Sequence, residues 1–149
     1  LNRKLRKLTT AQSLNLSLQV RVLLPPQSNY YYMKQVIYGK CPSKSNSYKI
    51  ITYNGHGKLA KHEKLTAYEK DFYLQCNHYR NKRIKGLFEL HLNVFYKNQR
   101  PDLDNCMKIV LDCLQSCNAI KNDRNCVKII AEKFIDKMNP RIEFEIIPI

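Results

Sequence analysis

The chain has 149 residues, a mass of 17.6 kDa and a net charge of +14, from 26 Lys and Arg against 12 Asp and Glu. Hydrophobic residues make up 44% of the chain, which is enough for one buried core and argues against a disordered protein. The apolar runs are only a few residues long, so we expect neither a membrane-spanning helix, which needs ~20 apolar residues, nor a signal peptide.

Positive charge is concentrated in the N-terminal part of the sequence. Residues 1–62 contain eleven Lys and Arg and no acidic residue, whereas residues 63–149 contain fifteen basic and all twelve acidic residues. Such a distribution attracts polyanions, and nucleic acid is the leading candidate because basic patches neutralise phosphates and release counterions. An anionic membrane surface is the weaker alternative, since the sequence contains no strongly amphipathic basic helix.

The N-terminal third of the chain predicts one strand followed by a long loop. Residues 1–13 are polar and basic and predict a flexible arm outside the fold. Apolar and polar side chains alternate over residues 14–24, which is typical of a half-buried strand, and Pro25-Pro26 ends it. Residues 27–61 predict a long loop with a short strand at 49–53. The loop tyrosines, among them Tyr30, either stack on unpaired bases or pack the loop onto the body of the domain.

The remaining residues predict two helices and three further strands. Apolar residues recur at helical spacing over residues 62–79, and a second strand follows at 88–96. A second helix begins after Asp102, and two more strands are predicted around residues 127–131 and 142–146. The order β–loop–α–β–α–β–β indicates an α+β fold, a single two-layer domain over residues 14–149 with about four strands in a mixed sheet and two helices.

The six cysteines predict buried thiols rather than disulfides or a zinc site. No C-x-x-C pair occurs, and nothing in the sequence indicates a secreted protein. Cys106, Cys113 and Cys117 recur at helical spacing beside apolar residues, which is typical of small hydrophobic side chains in a core. The cysteine pattern therefore fits a reducing cytoplasm.

A group of carboxylates marks the start of the second helix. Asp102 and Asp104 are two residues apart where the second strand ends, so their side chains can converge, and Lys108 lies one turn beyond Asp104. Asp123 lies in the loop before the third strand and reaches the same end of the sheet if the second and third strands are neighbours. Carboxylates crowded together raise one another's pKa, and a hard cation such as Mg²⁺ removes that cost. The alternative is ordinary helix capping by Asp102, Asp104 or Asn105 and an exposed ion pair between Asp104 and Lys108.

The order and spacing of these residues resemble those of the RusA family of Holliday junction resolvases. The motif is Asp102-x-Asp104-Asn105-x-x-Lys108, followed by Asp112 and by Asp123 fifteen residues after Lys108. The segment from Leu24 to Asn29 is similar to the Pro-Pro-x-Asn sequence that follows the first strand in the family. The resemblance covers roughly residues 16–149, strongly at 100–133 and loosely at 30–62.

The resemblance implies a Mg²⁺-dependent endonuclease, with Mn²⁺ as a substitute metal, that works as a homodimer on branched DNA. Such enzymes nick two opposed strands of a four-way junction and leave 5′-phosphate ends, in DNA recombination and repair. By motif position, Asp102, Asp104 and Asp123 would be the metal ligands and Lys108 the catalytic lysine, with Asp112 orienting that lysine. A prophage origin and a cytoplasmic, nucleoid-associated location in a bacterial or phage-infected cell are also implied.

Some features depart from the family pattern. Asn122 stands beside Asp123 where the family often has two acids, and Pro101 precedes Asp102 where some members carry arginine. Basic contacts to DNA must then come from other residues, and the candidates for DNA binding are Lys97, Arg100, Arg124, Tyr30 and Lys34.

Two other functions compete with a junction nuclease at the sequence level. A non-catalytic module that binds branched DNA on the same fold explains the charge but not the retained acids. A nucleotidyltransferase with a D-x-D motif would use the same metal, but the sequence has no Gly-rich phosphate loop.

Overall fold

The computed structural model describes residues 33–149, which belong to one compact unit, Tyr32–Ile149. The predicted arm at 1–13, the predicted strand at 14–24 and Tyr30 lie outside the described residues, and the predicted domain boundary after residue 13 stays a prediction. None of the described helices is both long and apolar enough to cross a membrane.

The described part of the chain forms a four-stranded mixed sheet, a two-stranded hairpin and two helices. The elements in chain order are β1 (Gln35–Tyr38), β2 (Tyr48–Tyr53), β3 (His56–Lys61), α1 (Glu63–Gln75), β4 (Phe88–Tyr96), α2 (Leu103–Ser116), a 3₁₀ turn (Asp123–Asn125), β5 (Cys126–Ile135) and β6 (Arg141–Pro148). The sheet order is β1-β6-β4-β5, in which β4 and β5 are parallel and the other pairs antiparallel. The predicted α+β fold with a mixed sheet and two helices is confirmed.

The core lies between one face of this sheet and the two helices. Every second residue of β4 is buried, because successive side chains of a strand point to opposite faces, and β6 alternates in the same way. Phe72 of α1 stacks on Phe144 of β6, with ring centroids 5.8 Å apart and planes 7° from parallel. The α2 stripe contributes the side chains of Cys106, Ile109, Val110, Cys113 and Leu114. Each large apolar side chain buried in this way contributes ~1.5–3 kcal/mol to the hydrophobic stabilisation of the fold.

The short strand predicted at 49–53 is confirmed as β2, but the rest of the predicted loop at 27–61 is wrong where its described residues form β1 and β3. Strand β1 pairs with β6 at the edge of the sheet, and β2 and β3 form a hairpin from Tyr48 to Lys61. Asn54 and Gly55 make its two-residue turn, both with positive φ, at 51° and 80°. Asn-Gly is the preferred pair for such a turn because both positions need a left-handed conformation. That dipeptide was the signal for the hairpin that the prediction did not use.

The two predicted helices are present, with a shorter first helix. Helix α1 ends at Gln75 rather than at Tyr79, and His62 is its N-cap, its Nδ1 accepting a hydrogen bond from the Lys64 backbone N–H. The thiols of Cys106, Cys113 and Cys117 are buried and free, as the apolar spacing predicted.

Candidate active site

Asp102 and Asp104 lie where strand β4 gives way to helix α2. Asp102 is the N-cap residue of α2 with extended backbone, but its side chain makes no capping hydrogen bond within the helix. Asp104 is exposed in the first turn. The Asp102 side chain therefore does not cap the helix by a hydrogen bond, so this part of the capping explanation is wrong. Asp104, the acid in the first turn, still complements the helix dipole.

A cleft of about 790 Å³ opens beside Asp102, between the β1–β2 connection and the N-terminal ends of α1 and α2. Lys40, Lys64 and Arg100 line it with positive charge, and Asp102 and Asp71 are its carboxylates. Two helix N-termini carry partial positive charge into the same space. The cleft thus combines cations with the motif carboxylate Asp102, a combination that suits a phosphodiester approaching a metal ion, whereas Asp104 is not among the residues that line it.

Lys108 joins Asp112 and Asp123 in one network. Its Nζ donates to Asp123 Oδ2 at 2.6 Å and lies 2.9 Å from Asp112 Oδ1. These hydrogen bonds, first to Asp123 and then to Asp112, raise the pKa of Lys108 above its ordinary value, and the bond from Lys108 lowers the pKa of Asp123. Lys108 is therefore positively charged at neutral pH. Its contact with Asp112 follows from their i,i+4 spacing on helix α2. Lys108 pairs with Asp112 and Asp123 instead of Asp104, so the exposed Asp104–Lys108 ion pair considered from the sequence does not form.

Asp112 also binds a lysine that sequence reasoning missed. Lys44, in the β1–β2 connection, donates from Nζ to Asp112 Oδ2 at 2.8 Å and to the Tyr48 hydroxyl at 3.3 Å. Burial opposes the ionisation of Asp112, but the hydrogen bonds from Lys44 and Lys108 outweigh it and lower the pKa of Asp112. Sequence spacing offered no signal for Lys44, since 68 residues separate it from its partner.

Asp123 does not reach the end of the sheet where Asp102 lies, so that expectation is wrong. Strands β4 and β5 are neighbours but run parallel, with Phe88 opposite Cys126 and Tyr96 opposite Ile135. Asp102 follows the C-terminal end of β4, whereas Asp123 precedes the N-terminal end of β5. Helix α2 runs back along the sheet, and Asp123 meets it at Lys108 and at Gln115, whose Oε1 accepts from the Asp123 N–H at 3.0 Å.

The acids fit a metal held by few protein ligands. Over residues 33–149, no three His, Cys, Asp or Glu side chains lie close enough together to hold a metal ion. Mg²⁺ needs only one or two carboxylates, because it keeps several waters. Asp102 and Asp104 meet that requirement, whereas the Asp123 carboxylate already accepts a hydrogen bond from Lys108.

The described candidates for DNA binding do not all lie at the cleft. Arg100 lines the cleft, and Lys97 is exposed just after β4. Arg124 donates from its backbone N–H to Asn122 Oδ1 within the 3₁₀ turn. Lys34 forms an ion pair with Glu143, whose side chain lies on the face of the sheet away from the helices, so it is not a cleft residue.

The fold and this site define a small nucleic-acid-processing domain, in which carboxylates and lysines stand at the rim of a basic cleft. The family described as endodeoxyribonuclease RusA matches residues 39–147, most of the chain, and the chain belongs to this family of Holliday junction endonucleases. No curated protein matches the chain.

The family match covers less of the chain than the resemblance seen in the sequence. The match begins at residue 39, so residues 16–38, including the segment from Leu24 to Asn29, lie outside it. Within the match, a different Pro-to-Asn segment, from Pro42 to Asn46, follows strand β1. It forms part of the cleft wall.

Proposed function

We propose that the protein is a Mg²⁺-dependent, structure-selective DNA endonuclease that nicks two opposed strands of a four-way junction as a homodimer. The products would carry 5′-phosphate and 3′-hydroxyl ends, as recombination and repair require. The observation that carries the proposal is the placement of Asp102 at a cleft lined by cations, with Asp104 in the first turn of the adjoining helix, one turn before Lys108. Membership of the RusA family supports it.

Asp102 and Asp104 would hold the metal, and Asp123, the third ligand that the family resemblance implies, would join them only if its ion pair with Lys108 opened. Bound there, Mg²⁺ would polarise the phosphodiester and stabilise the leaving oxygen. Lys108 would stabilise the negative charge that develops on the phosphate, and its raised pKa favours the protonated form that this role needs. Asp112 and Asp123 hold the Lys108 ammonium group in place from two sides.

The DNA interface would extend from the cleft to the β2–β3 hairpin. Lys40, Lys64 and Arg100 would bind phosphates, and Lys97 and Arg124 are further candidates. The hairpin has no acidic residue and carries exposed Tyr53, at 70% exposure. An exposed aromatic ring among lysines can stack on an unpaired base at the branch point. The substrate would be branched DNA in a bacterial or phage-infected cell.

Cleavage of a labelled four-way junction beside linear duplex of the same sequence tests the proposal. We expect paired nicks that require Mg²⁺ and disappear with chelator. Asp102→Asn and Asp104→Asn should lose cleavage by roughly a hundredfold or more while keeping or strengthening junction binding, because they remove negative charge that faces phosphate.

Asp71→Asn is the matched control, since it removes one carboxylate from the same cleft without touching the motif. Junction binding by the wild type without cleavage in Mg²⁺ or Mn²⁺ would favour the alternative, a non-catalytic branched-DNA-binding module. The Lys108–Asp123 ion pair would then be purely structural. Parallel loss of binding and cleavage in Asp102→Asn would show that this acid supports the fold.

A further inference from the structure

Within the part of the chain that the structure describes, strand β5 forms a long open edge of the sheet. Over residues 33–149 it has a strand neighbour on one side only, β4, and it runs for ten residues. A long free edge presents unpaired N–H and C=O groups and is ordinarily shortened, covered or protected by charge. The edge here carries exposed apolar side chains as well as exposed Lys128 and Glu132, with Val127 at 53%, Ile130 at 42% and Phe134 at 37% exposure.

The two faces of β5 are used differently. Lys133 belongs to the helix side, where its Nζ donates to the carbonyl oxygens of Gln99 at 2.9 Å and Pro101 at 2.8 Å. Lys128, Ile130 and Glu132 lie on the open face, opposite Glu89, His91 and Asn93 of β4. Lys128 pairs with Glu89, yet its side chain remains 54% exposed.

The open face of β5 is complementary to itself in one antiparallel register. If Ile130 lies on a twofold axis, it faces Ile130 of a second copy, and each Lys128 faces Glu132 of the other. Cross-strand pairs of opposite charge and of apolar residues stabilise antiparallel strands. If the register moves by two residues, Ile130 of one copy faces Glu132 or Lys128 of the other. Both Lys128–Glu132 pairs between the copies are then lost.

We propose that the free edge of β5 binds a second copy of this chain, with β5 antiparallel to its twofold mate and Ile130 on the axis. This inference deepens the proposed function and rests on it, because paired nicks require two active centres. A twofold axis perpendicular to the sheet places the helices of both copies on the same face. Both copies of Asp102 then face the same side, where one junction can contact them.

Disulfide cross-linking tests the register directly. Ile130→Cys is made with Cys126→Ser, which removes the only native thiol that is not buried. Mild oxidation should give a covalent dimer, visible without reductant at twice the mass of the chain. Glu132→Cys in the same background is the control, since the two introduced sulfurs would lie roughly 13 Å apart, four residues along the strand.

Charge reversal tests the same interface in solution. Lys128→Glu and Glu132→Lys should each raise the dimer dissociation constant about tenfold, and the double variant should restore it, since opposite charges then face each other again. Sedimentation of the purified full chain measures this. A monomeric wild type, equal cross-linking of both cysteine variants, or a double variant weaker than either single one would overturn the proposal, including the case in which residues 14–24 cover the edge.

These readouts separate failure of the interface from failure of the proposed function. Cross-linking of the Ile130→Cys variant together with a wild-type protein that does not cleave junctions would leave the interface standing and refute the nuclease. An active chain that nicks junctions in paired fashion but shows no Ile130 cross-link would refute the interface alone.

Discussion

Asp112 forms ion pairs with two lysines, Lys44 in the segment between β1 and β2 and the candidate catalytic Lys108. It accepts from Lys44 and Lys108, and its pKa is lowered because these two bonds outweigh the effect of burial. A carboxyl group whose pKa is lower in the folded than in the unfolded chain stabilises the fold above its unfolded pKa of about 3.9. That contribution is lost as the pH falls through the folded value.

We therefore expect Asp112→Asn to lower the free energy of unfolding at pH 7 by at most about 1 kcal/mol, because the group is 35% exposed and screened by solvent. As the pH falls through the lowered pKa of Asp112, the stabilities of variant and wild type should converge because the wild-type carboxylate is protonated. Urea unfolding at pH 7 and at a pH below that lowered pKa measures the difference. Asp71→Asn serves as control, and a difference that is equal at both pH values would indicate lost packing rather than lost charge.

At the scale of elements, helix α1 packs on the core through Leu65, Tyr68 and Phe72, of which Phe72 is fully buried. Phe72 is fully buried and stacks on Phe144, while Leu74 on the same helix is 57% exposed. Phe72→Ala removes a large side chain from a close-packed layer and should cost about 3–5 kcal/mol. Leu74→Ala should change the stability by less than about 0.5 kcal/mol. Thermal unfolding of the two variants compares them, and similar losses would mean that α1 is not anchored through Phe72.

The segment between β4 and α2 depends on a lysine from another strand. Lys133 of β5 binds the carbonyls of Gln99 and Pro101, immediately before Asp102. Lys133→Met keeps the length and apolar stem of the side chain but removes both hydrogen bonds. We expect cleavage to require a higher Mg²⁺ concentration, because the segment that positions Asp102 loosens.

A Mg²⁺ titration of junction cleavage measures this shift, with Lys137→Met, another lysine near the end of β5, as the control. An unchanged Mg²⁺ dependence in Lys133→Met would show that the position of Asp102 does not depend on the strand β5.

At the scale of the whole molecule, a net charge of +14 dominates encounters with DNA. If roughly six to ten phosphates are contacted, junction affinity should fall by about 10³–10⁵ between 50 and 200 mM salt. Lys40→Gln and Lys64→Gln should each reduce the slope of log affinity against log salt by about one, because both lysines line the cleft.

Lys82→Gln removes the same charge outside the cleft lining and should leave the slope nearly unchanged. Fluorescence anisotropy of a labelled junction across the salt series compares the three variants. Equal effects of all three substitutions would mean that the DNA does not enter the cleft.

Local chemistry alone identified most of the elements and the motif. Period-two alternation predicted β4 and β6, helical spacing predicted α2 with its buried thiols, and the order of Asp102, Asp104, Lys108 and Asp123 indicated the family. These features were predictable because strand and helix periodicities, and the spacing of a motif along one helix, depend on neighbours in sequence. The Asn54-Gly55 turn was equally local and was missed.

The arrangement of the site depended on contacts between distant parts of the chain. The parallel pairing of β4 with β5 decided that Asp123 meets Lys108 rather than Asp102, and the fold alone brought Lys44 to Asp112 and Lys133 to the segment before Asp102. Strand direction and long-range ion pairs leave no periodic trace in a sequence, because they arise from packing two helices on one face of a sheet. The charge, the class of fold and the residues of the motif could therefore be read from local patterns along the chain, whereas the contacts among those residues depended on how the strands and helices pack.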